Sequence, residues 1–158
     1  MSTVGAGPAM TVTLRPARAN DARLLYEWAN DPAVRAMARD TRPIAWDGHR
    51  AWFAARLARA DCRILIAEVD GEPVGQVRLD RQGPDGGRAE IDISVAPARR
   101  GRGHGRAMLA ALPPWPGVSR LVAVVRRENA ASAALFRAAG FTARAGDEAF
   151  VTFERDAP

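Results

Sequence analysis

Lysine is missing from this chain: all 23 basic residues are arginine, set against 18 acidic residues, for a net charge of +5. Arginine stays protonated beyond any lysine, so the absence of lysine accounts for an isoelectric point of about 11.0 without invoking a basic stripe. The arginines from Arg15 to Arg59 are interleaved with carboxylates, the pattern of solvated faces rather than of a phosphate-backbone surface. Nucleic acid is therefore not an expected partner. Cysteine is nearly absent too. Cys62 alone forbids an internal disulfide and leaves no spacing for a metal site, and at the head of an apolar run it reads as a strand residue. No stretch approaches the ~18 apolar residues of a membrane span, and the first ten residues lack the basic-then-apolar layout of a secretory leader. The expectation is a cytoplasmic protein with no membrane partner. What remains is 158 residues, 47% of them hydrophobic. That suffices for one domain with a sizeable core, since a domain takes ~100–200 residues.

Residues 1–10 are small and aperiodic and read as a disordered lead, with one domain following over residues 11–156. Thr11 to Arg15 alternate as a strand that stops at Pro16, and Asn20 or Asp21 then caps a helix bearing Leu24, Leu25 and Trp28. Asp31-Pro32 starts a second, short helix, and Trp46 to Arg59 carries Trp46, Trp52, Phe53 and Leu57 on a helical spacing. Cys62 to Val69, the turn Asp70-Gly71-Glu72-Pro73 and Val74 to Leu79 make a hairpin. Ala89 to Val95 alternates strictly, with Ala89, Ile91, Ile93 and Val95 on one face and Glu90, Asp92 and Ser94 on the other. His104 to Leu112 suits a helix, Leu121 to Val125 a buried strand, and Asn129 caps a helix through Ala139 that Gly140 ends. Phe141 to Arg144 and Ala149 to Arg155 make a last pair of strands. This order specifies an α+β (mixed α/β) fold, not a doubly wound one.

The densest chemical signal is Arg99-Arg100-Gly101-Arg102-Gly103-His104-Gly105-Arg106, which leaves a strand and opens a helix. Glycines spaced by two let the backbone approach a ligand, and the unpaired N–H groups beyond them favour an anion, with pyrophosphate as the natural guest. The spacing is neither that of the Walker loop nor that of the dinucleotide fingerprint.

Val95-Ala96-Pro97 followed by Arg100-Gly101-Arg102-Gly103-His104-Gly105 resembles the acetyl-coenzyme A loop of the GNAT superfamily of N-acetyltransferases. The run Glu128-Asn129-Ala130-Ala131-Ser132-Ala133-Ala134-Leu135-Phe136-Arg137-Ala138-Ala139-Gly140-Phe141 looks like its second signature. The resemblance implies a mostly antiparallel, twisted sheet of about seven strands flanked by about four helices and splayed between its fourth and fifth strands. It implies acetyl-CoA as cosubstrate, with no metal. The pantetheine arm would lie in the splay against the backbone of Ile93, Ser94 and Val95, and the diphosphate on Arg100, Gly101, Arg102, Gly103, His104, Gly105 and Arg106. Asn129, besides capping its helix, would reach the pantetheine arm, with Ser132 near it. Two departures stand out: Phe136 replaces the tyrosine with which many members protonate the leaving thiolate, a donor that phenylalanine lacks, and the helix from His104 is short, with a Pro113-Pro114-Trp115-Pro116 exit.

Transfer to a primary amine needs a neutral amine, a route for its proton and a donor to the oxyanion. Glu90 and Asp92 are the candidate catalytic bases, sharing the strand face opposite the apolar set beside the implied cofactor gap, and a backbone N–H near Ser94 or Val95 would hold the oxyanion. Direct transfer in a ternary complex is the implied route. For the acceptor, Tyr26 to Arg35 and Pro43 to Phe53 are similar to the branch that acetylates ribosomal-protein N-termini. They look still more like the branch that acetylates nucleotide-linked amino sugars, although Ala29 replaces an arginine of its Trp-Arg-Asn-Asp-Pro motif. Trp28, Asn30, His49 and Trp52 are the expected acceptor contacts. The expected partner is a small-molecule amine, a nucleotide sugar under this resemblance, and the expected state is monomer or homodimer. Protein N-terminal acetylation, antibiotic or other small-amine modification, and a degenerate acyl-CoA-binding module are the alternatives, the last motivated by Phe136.

Overall fold

The computed structural model describes residues 10–158, so the expected disordered lead lies, apart from Met10, outside the described residues. Its strands are β1 (Thr13–Pro16), β2 (Cys62–Val69), β3 (Glu72–Gln82), β4 (Arg88–Val95), β5 (Arg120–Arg126), β6 (Thr142–Gly146) and β7 (Phe150–Asp156). They form one seven-stranded sheet in the order β1-β2-β3-β4-β5-β7-β6, as expected for a mixed α+β fold. The helices among the described residues are α1 (Ala22–Ala29), α2 (Pro32–Met37), α3 (Trp46–Leu57), α4 (His104–Ala110) and α5 (Ala130–Ala138), with 3-10 turns at Ala19–Asp21 and Pro97–Arg99.

The β2–β3 hairpin closes on Asp70 and Gly71, which take φ values of 53° and 79°. A two-residue hairpin turn whose twist suits the strands needs positive φ at both central residues. β3 outlasts the expected stop at Leu79 because Arg78 and Asp80 lie on its polar face while Val77 and Leu79 stay buried on the other. It pairs with β4 from Gly75↔Val95 to Gln82↔Arg88. β4 and β5 run parallel and pair only at Arg88↔Arg120, Ala89↔Leu121 and Glu90↔Val122. β5 then pairs with β7 along its whole length, so the sheet parts between β4 and β5 beyond Glu90.

One face of the sheet is apolar throughout. Leu65, Val77, Leu79, Ile91, Ala123 and Phe153 pack there against Met108 and Leu109 of α4, Phe136 of α5, and Phe141. Phe153 is 1% exposed, a site where truncation to alanine costs about 3–5 kcal/mol. On the opposite face Ile64 and Ile66 meet Leu25, Trp28 and Phe53 from α1 and α3. β3 and β4 are polar on that second face, where Gln76, Arg78 and Asp80 stand across from Ser94, Asp92 and Glu90.

Several boundaries differ from expectation for identifiable reasons. Neither Asn20 nor Asp21 caps α1 with its side chain; both lie in the 3-10 turn that precedes it. The Asp21 carboxylate instead accepts from the Arg15 guanidinium at 2.8 and 2.9 Å and from the Arg18 N–H at 2.7 Å, tying β1 to the first helix. The hydrogen bonds from Arg15 hold that carboxyl below its usual pKa, against the opposing effect of burial. α4 stops at Ala110 rather than Leu112, since a residue before proline is pushed out of the helical region and Pro113 follows. β6 begins at Thr142, because Phe141 turns inward to pack edge-on against Phe136 at 5.0 Å between ring centroids. Asn129 does cap α5, its Oδ1 accepting the Ser132 N–H at 3.1 Å.

Candidate active site

The site is built around the free end of β4. The Ala96 N–H donates to the Val74 carbonyl at 2.8 Å. Backbone groups alternate sides along a strand, so those of Ser94 point to β3 and those of Ile93 and Val95 point to β5. Across the parting, the Arg127 N–H donates to Ala149 of the hairpin, and the same alternation turns the backbone of Val124 and Arg126 toward β4. Since the β4–β5 pairing ends at Glu90↔Val122, these facing groups are left without strand partners, except that the Arg126 carbonyl accepts the Asn129 N–H at 2.9 Å in the turn that follows. They form a slot in which an extended ligand with amide groups can complete the ladder.

At the mouth of the slot the loop after β4 turns on Gly101 and Gly103, with φ of 73° and 81°. A side chain is strained at such values, and a Cβ built on either glycine would meet nothing within 4 Å, so the backbone lies open. Arg102 and Arg106 are exposed. Arg100 reaches back to Asp31, the N-cap of α2, at 3.0 Å. His104 is buried, with Nδ1 3.0 Å from the Arg99 carbonyl, so its ring anchors the loop. Gly105 packs where α4, α5 and β4 meet; a Cβ there would stand 3.1 Å from Leu135 Cδ2 and 3.6 Å from Val95 Cγ2. Open backbone, positive φ and flanking guanidinium groups together fit a diphosphate.

The two candidate carboxylates occupy different settings. Glu90 lies where the sheet is still closed, and its oxygens accept from Arg39 at 3.3 Å and Gln82 at 2.5 Å. Asp92 is exposed, lies beyond the last β4–β5 pair and accepts from Gln76 at 3.0 Å. Ser94 Oγ takes a second Gln76 contact at 3.3 Å. Asn129 spends Oδ1 on its cap, while its amide nitrogen makes no hydrogen bond among the described residues. Phe136 is 3% exposed and stacked against Phe153 at 6.3 Å, a core ring with no proton to give. Burial, with the Asp80 carboxylate alongside, pushes the Cys62 thiol up to about 11, so it is no nucleophile at neutral pH.

The expected acceptor contacts are used otherwise. Trp28 is buried. Asn30 clamps Ile44 in a loop, donating to its carbonyl at 3.0 Å and accepting from its N–H at 2.8 Å. His49, expected beside an open aromatic surface, is 4% exposed among Tyr26, Trp46, Trp52 and Phe53. Its Nε2 lies 3.1 Å from the Ala22 carbonyl, an acceptor, so that nitrogen carries the proton. Burial depresses the imidazole pKa, against the opposing pull of that carbonyl. Trp52 alone of the four is exposed, with Arg56 and Arg78 over its ring at 5.5 and 5.4 Å; Arg78 is the cross-strand neighbour of Asp92. The open space lies further along the same face of the sheet, in a cleft of about 380 Å³ lined by Arg39, Val124, Gly146, Asp147, Phe150 and Thr152. Sequence reading missed it, because Arg39 lies far along the chain from Val124 and the segment 146–152, which make its other walls.

Among the described residues no helix is long and apolar enough to cross a membrane, and no cluster of three or more His, Cys, Asp or Glu side chains is placed to hold a metal. A seven-stranded sheet parted beside a glycine-arginine loop defines an acetyltransferase fold. The spermidine N-acetyltransferase of Vibrio cholerae, solved with CoA and spermine, shares it with a TM-score of 0.80 at 17% identity, over 92% of this chain and 95% of its own. An aminoglycoside acetyltransferase solved with coenzyme A shares it with a TM-score of 0.77 at 21% identity, over 92% and 95% of the two chains. A mycothiol acetyltransferase of Thermomonospora curvata is 48% identical over 50 residues, which are 32% of this chain and only 16% of that relative. Residues 11–142 match the acetyltransferase (GNAT) domain family, and the chain belongs to that family. What the match shows is a domain of the acetyltransferase class.

Proposed function

We propose that this protein acetylates the primary amine of a small molecule, by direct attack on acetyl-CoA in a ternary complex. The observation that carries the reading is the parting of β4 from β5 after Glu90↔Val122, with the backbone of Ile93 and Val95 turned into the slot and the glycine loop at its mouth. The pantetheine arm pairs with those backbone groups and with the free amide nitrogen of Asn129. The diphosphate rests on the loop from Arg100 to Arg106.

Asp92 takes a proton from the acceptor's ammonium through water, leaving the neutral amine that attacks the thioester carbonyl. It has a single protein hydrogen bond and stands beyond the closed part of the sheet, whereas Glu90 is engaged by Arg39 and Gln82. The Val95 N–H, turned into the slot, is the oxyanion donor. With Phe136 unable to donate, the thiolate departs unassisted, as a group with a pKa near ~8.5 does readily at neutral pH. The resemblance of Tyr26 to Arg35 and Pro43 to Phe53 supports a nucleotide-linked amino sugar as acceptor, with His49 and Asn30 shaping its wall rather than touching it.

Thermal unfolding with acetyl-CoA, followed by thiol release against amines that include UDP-amino sugars, spermidine and an aminoglycoside, tests the proposal. A ligand at ~100 times its Kd adds ~2.7 kcal/mol, and at ~2–4 °C per kcal/mol the melting point rises by roughly 5–11 °C. That rise with thiol release on any amine is the expected result; no rise removes the reading.

A further inference from the structure

The side chains that face the 380 Å³ cleft are unevenly engaged. The Arg39 side chain is 65% exposed, with one ionic contact, 3.3 Å to Glu90. Its guanidinium carbon stands 5.9 Å from the centroid of Phe150, and that of Arg126 stands 5.2 Å from the same ring. Arg126 is steered there by the Ala38 carbonyl, which accepts from its Nε and Nη2 at 3.1 and 2.8 Å. The carboxylates in reach have partners: Glu128 Oε1 stands 3.7 Å from Arg126 Nη1. Asp147 Oδ1 accepts the N–H groups of Ala149 and Phe150 at 2.8 Å each, and Glu154, on the same face of β7, pairs with Arg88 and Arg120. The Thr152 hydroxyl lines the cleft with no hydrogen-bond partner among the described residues.

We propose that the Arg39–Phe150–Arg126 rim is a specificity element that receives an anionic group, phosphate or carboxylate, carried by the acceptor amine. The inference deepens the amine-acetylation reading and rests on it. A guanidinium fork matches the oxygens of either anion, and an aromatic ring beneath two such forks keeps both at the lip. An anion that takes Arg39 also frees Glu90 Oε1 to receive the ammonium entering behind it. A polyamine brings no group that a guanidinium fork can grip, and its ammonium groups meet two cations at the rim, so it gains nothing from Arg39 and Arg126.

The test is a matched acceptor series with acetyl-CoA: glucosamine, glucosamine 6-phosphate, 2-amino-2-deoxygluconate and spermidine, read as kcat/KM in the wild type, Arg39→Gln and Arg39→Lys. At least one anionic member should exceed glucosamine by about tenfold or more, the worth of a charged hydrogen bond, and whichever wins identifies phosphate or carboxylate as the group received. In Arg39→Gln that ratio should fall toward one, and Arg39→Lys should restore part of it. Spermidine or glucosamine used as well as the anionic members overturns the proposal. So does an equal loss on every acceptor in Arg39→Gln, which would mean that Arg39 acts through Glu90. Failure of the underlying reading looks different: no melting shift with acetyl-CoA and no thiol release on any amine, whereas failure of the rim alone leaves both intact without a charge preference.

Discussion

Gly75 sits opposite Val95 where β3 holds the free end of β4, and replacing it with alanine tests whether that end is held as tightly as the geometry says. The added Cβ would stand 2.5 Å from the Ser94 carbonyl oxygen and 2.9 Å from Met108 Cε and Sδ. Met108 of α4 is fully buried, which limits how far its thioether end can shift, and the Ser94 oxygen is backbone and cannot swing clear. Overpacking of this kind costs about 1–3 kcal/mol, and the loss of glycine's freedom in the unfolded chain returns about 0.4–1 kcal/mol. The net is roughly 1–2 kcal/mol, a fall of about 2–8 °C in melting temperature for a chain of this length. Because the displaced atom adjoins Val95, acetyl-CoA affinity should fall as well. Calorimetric melts with and without the cosubstrate read both effects. Gly48→Ala is the control: it lies in α3, its Cβ would meet nothing within 4 Å, and removing a helix glycine should raise stability by about 0.5–1 kcal/mol. A Gly75→Ala protein that melts at or above the wild-type temperature would refute the packing argument.

Burial keeps the His49 ring neutral in the folded protein to a lower pH than in the unfolded chain, where it protonates near ~6.5. Between those two values the unfolded state binds more protons, so stability should decline as pH drops through ~6.5 toward the native pKa. His49→Gln should lose that component of the slope, and equal slopes in melts from pH ~7.5 to ~5.5 would sink the argument. Asp92→Asn should lower kcat by ~10²–10⁴ with the acetyl-CoA Kd nearly intact, and Glu90→Gln by less; unchanged steady-state rates in both would remove the base assignment. Gly103→Ala forces a side chain to φ 81° and should cost ~1–2 kcal/mol. It should also weaken acetyl-CoA in a binding titration, and unaltered affinity would show that the loop is no diphosphate cradle.

Where local chemistry decides, the sequence was legible. β2 has the ends read from it because Asp70-Gly71 fences one side and the apolar run supplies the rest, and α5 is bracketed by the capping oxygen of Asn129 and by Gly140 at φ 86°. The parted sheet and the loop followed from the two signatures. What escaped depended on partners remote in the chain. Asp21 has the chemistry of a cap, yet a guanidinium from β1 outcompeted the helix for its oxygens. His49 looked exposed because α3 carries alanines and arginines around it, and only its packing onto α1 shows that it is buried. The cleft could not be read at all, since Arg39 and Phe150 have no pattern in common and meet only through the sheet.

All the sheet's neighbouring strands are antiparallel except β4 and β5, which run the same way. Parallel neighbours cannot be joined by a tight turn; the chain must leave the first at its carboxyl end, cross a face and return to the amino end of the second. Residues 96–119 make that journey, carrying the glycine loop and α4. The loop therefore departs from the very end of β4 at which the two strands have already separated, and their three bridges lie at the opposite end. The address of the slot is topological, written by connectivity rather than by any one side chain. The residues around the cleft can be exchanged without moving it, so under the proposed function a scaffold of this kind can change its acceptor while keeping its acyl donor in place.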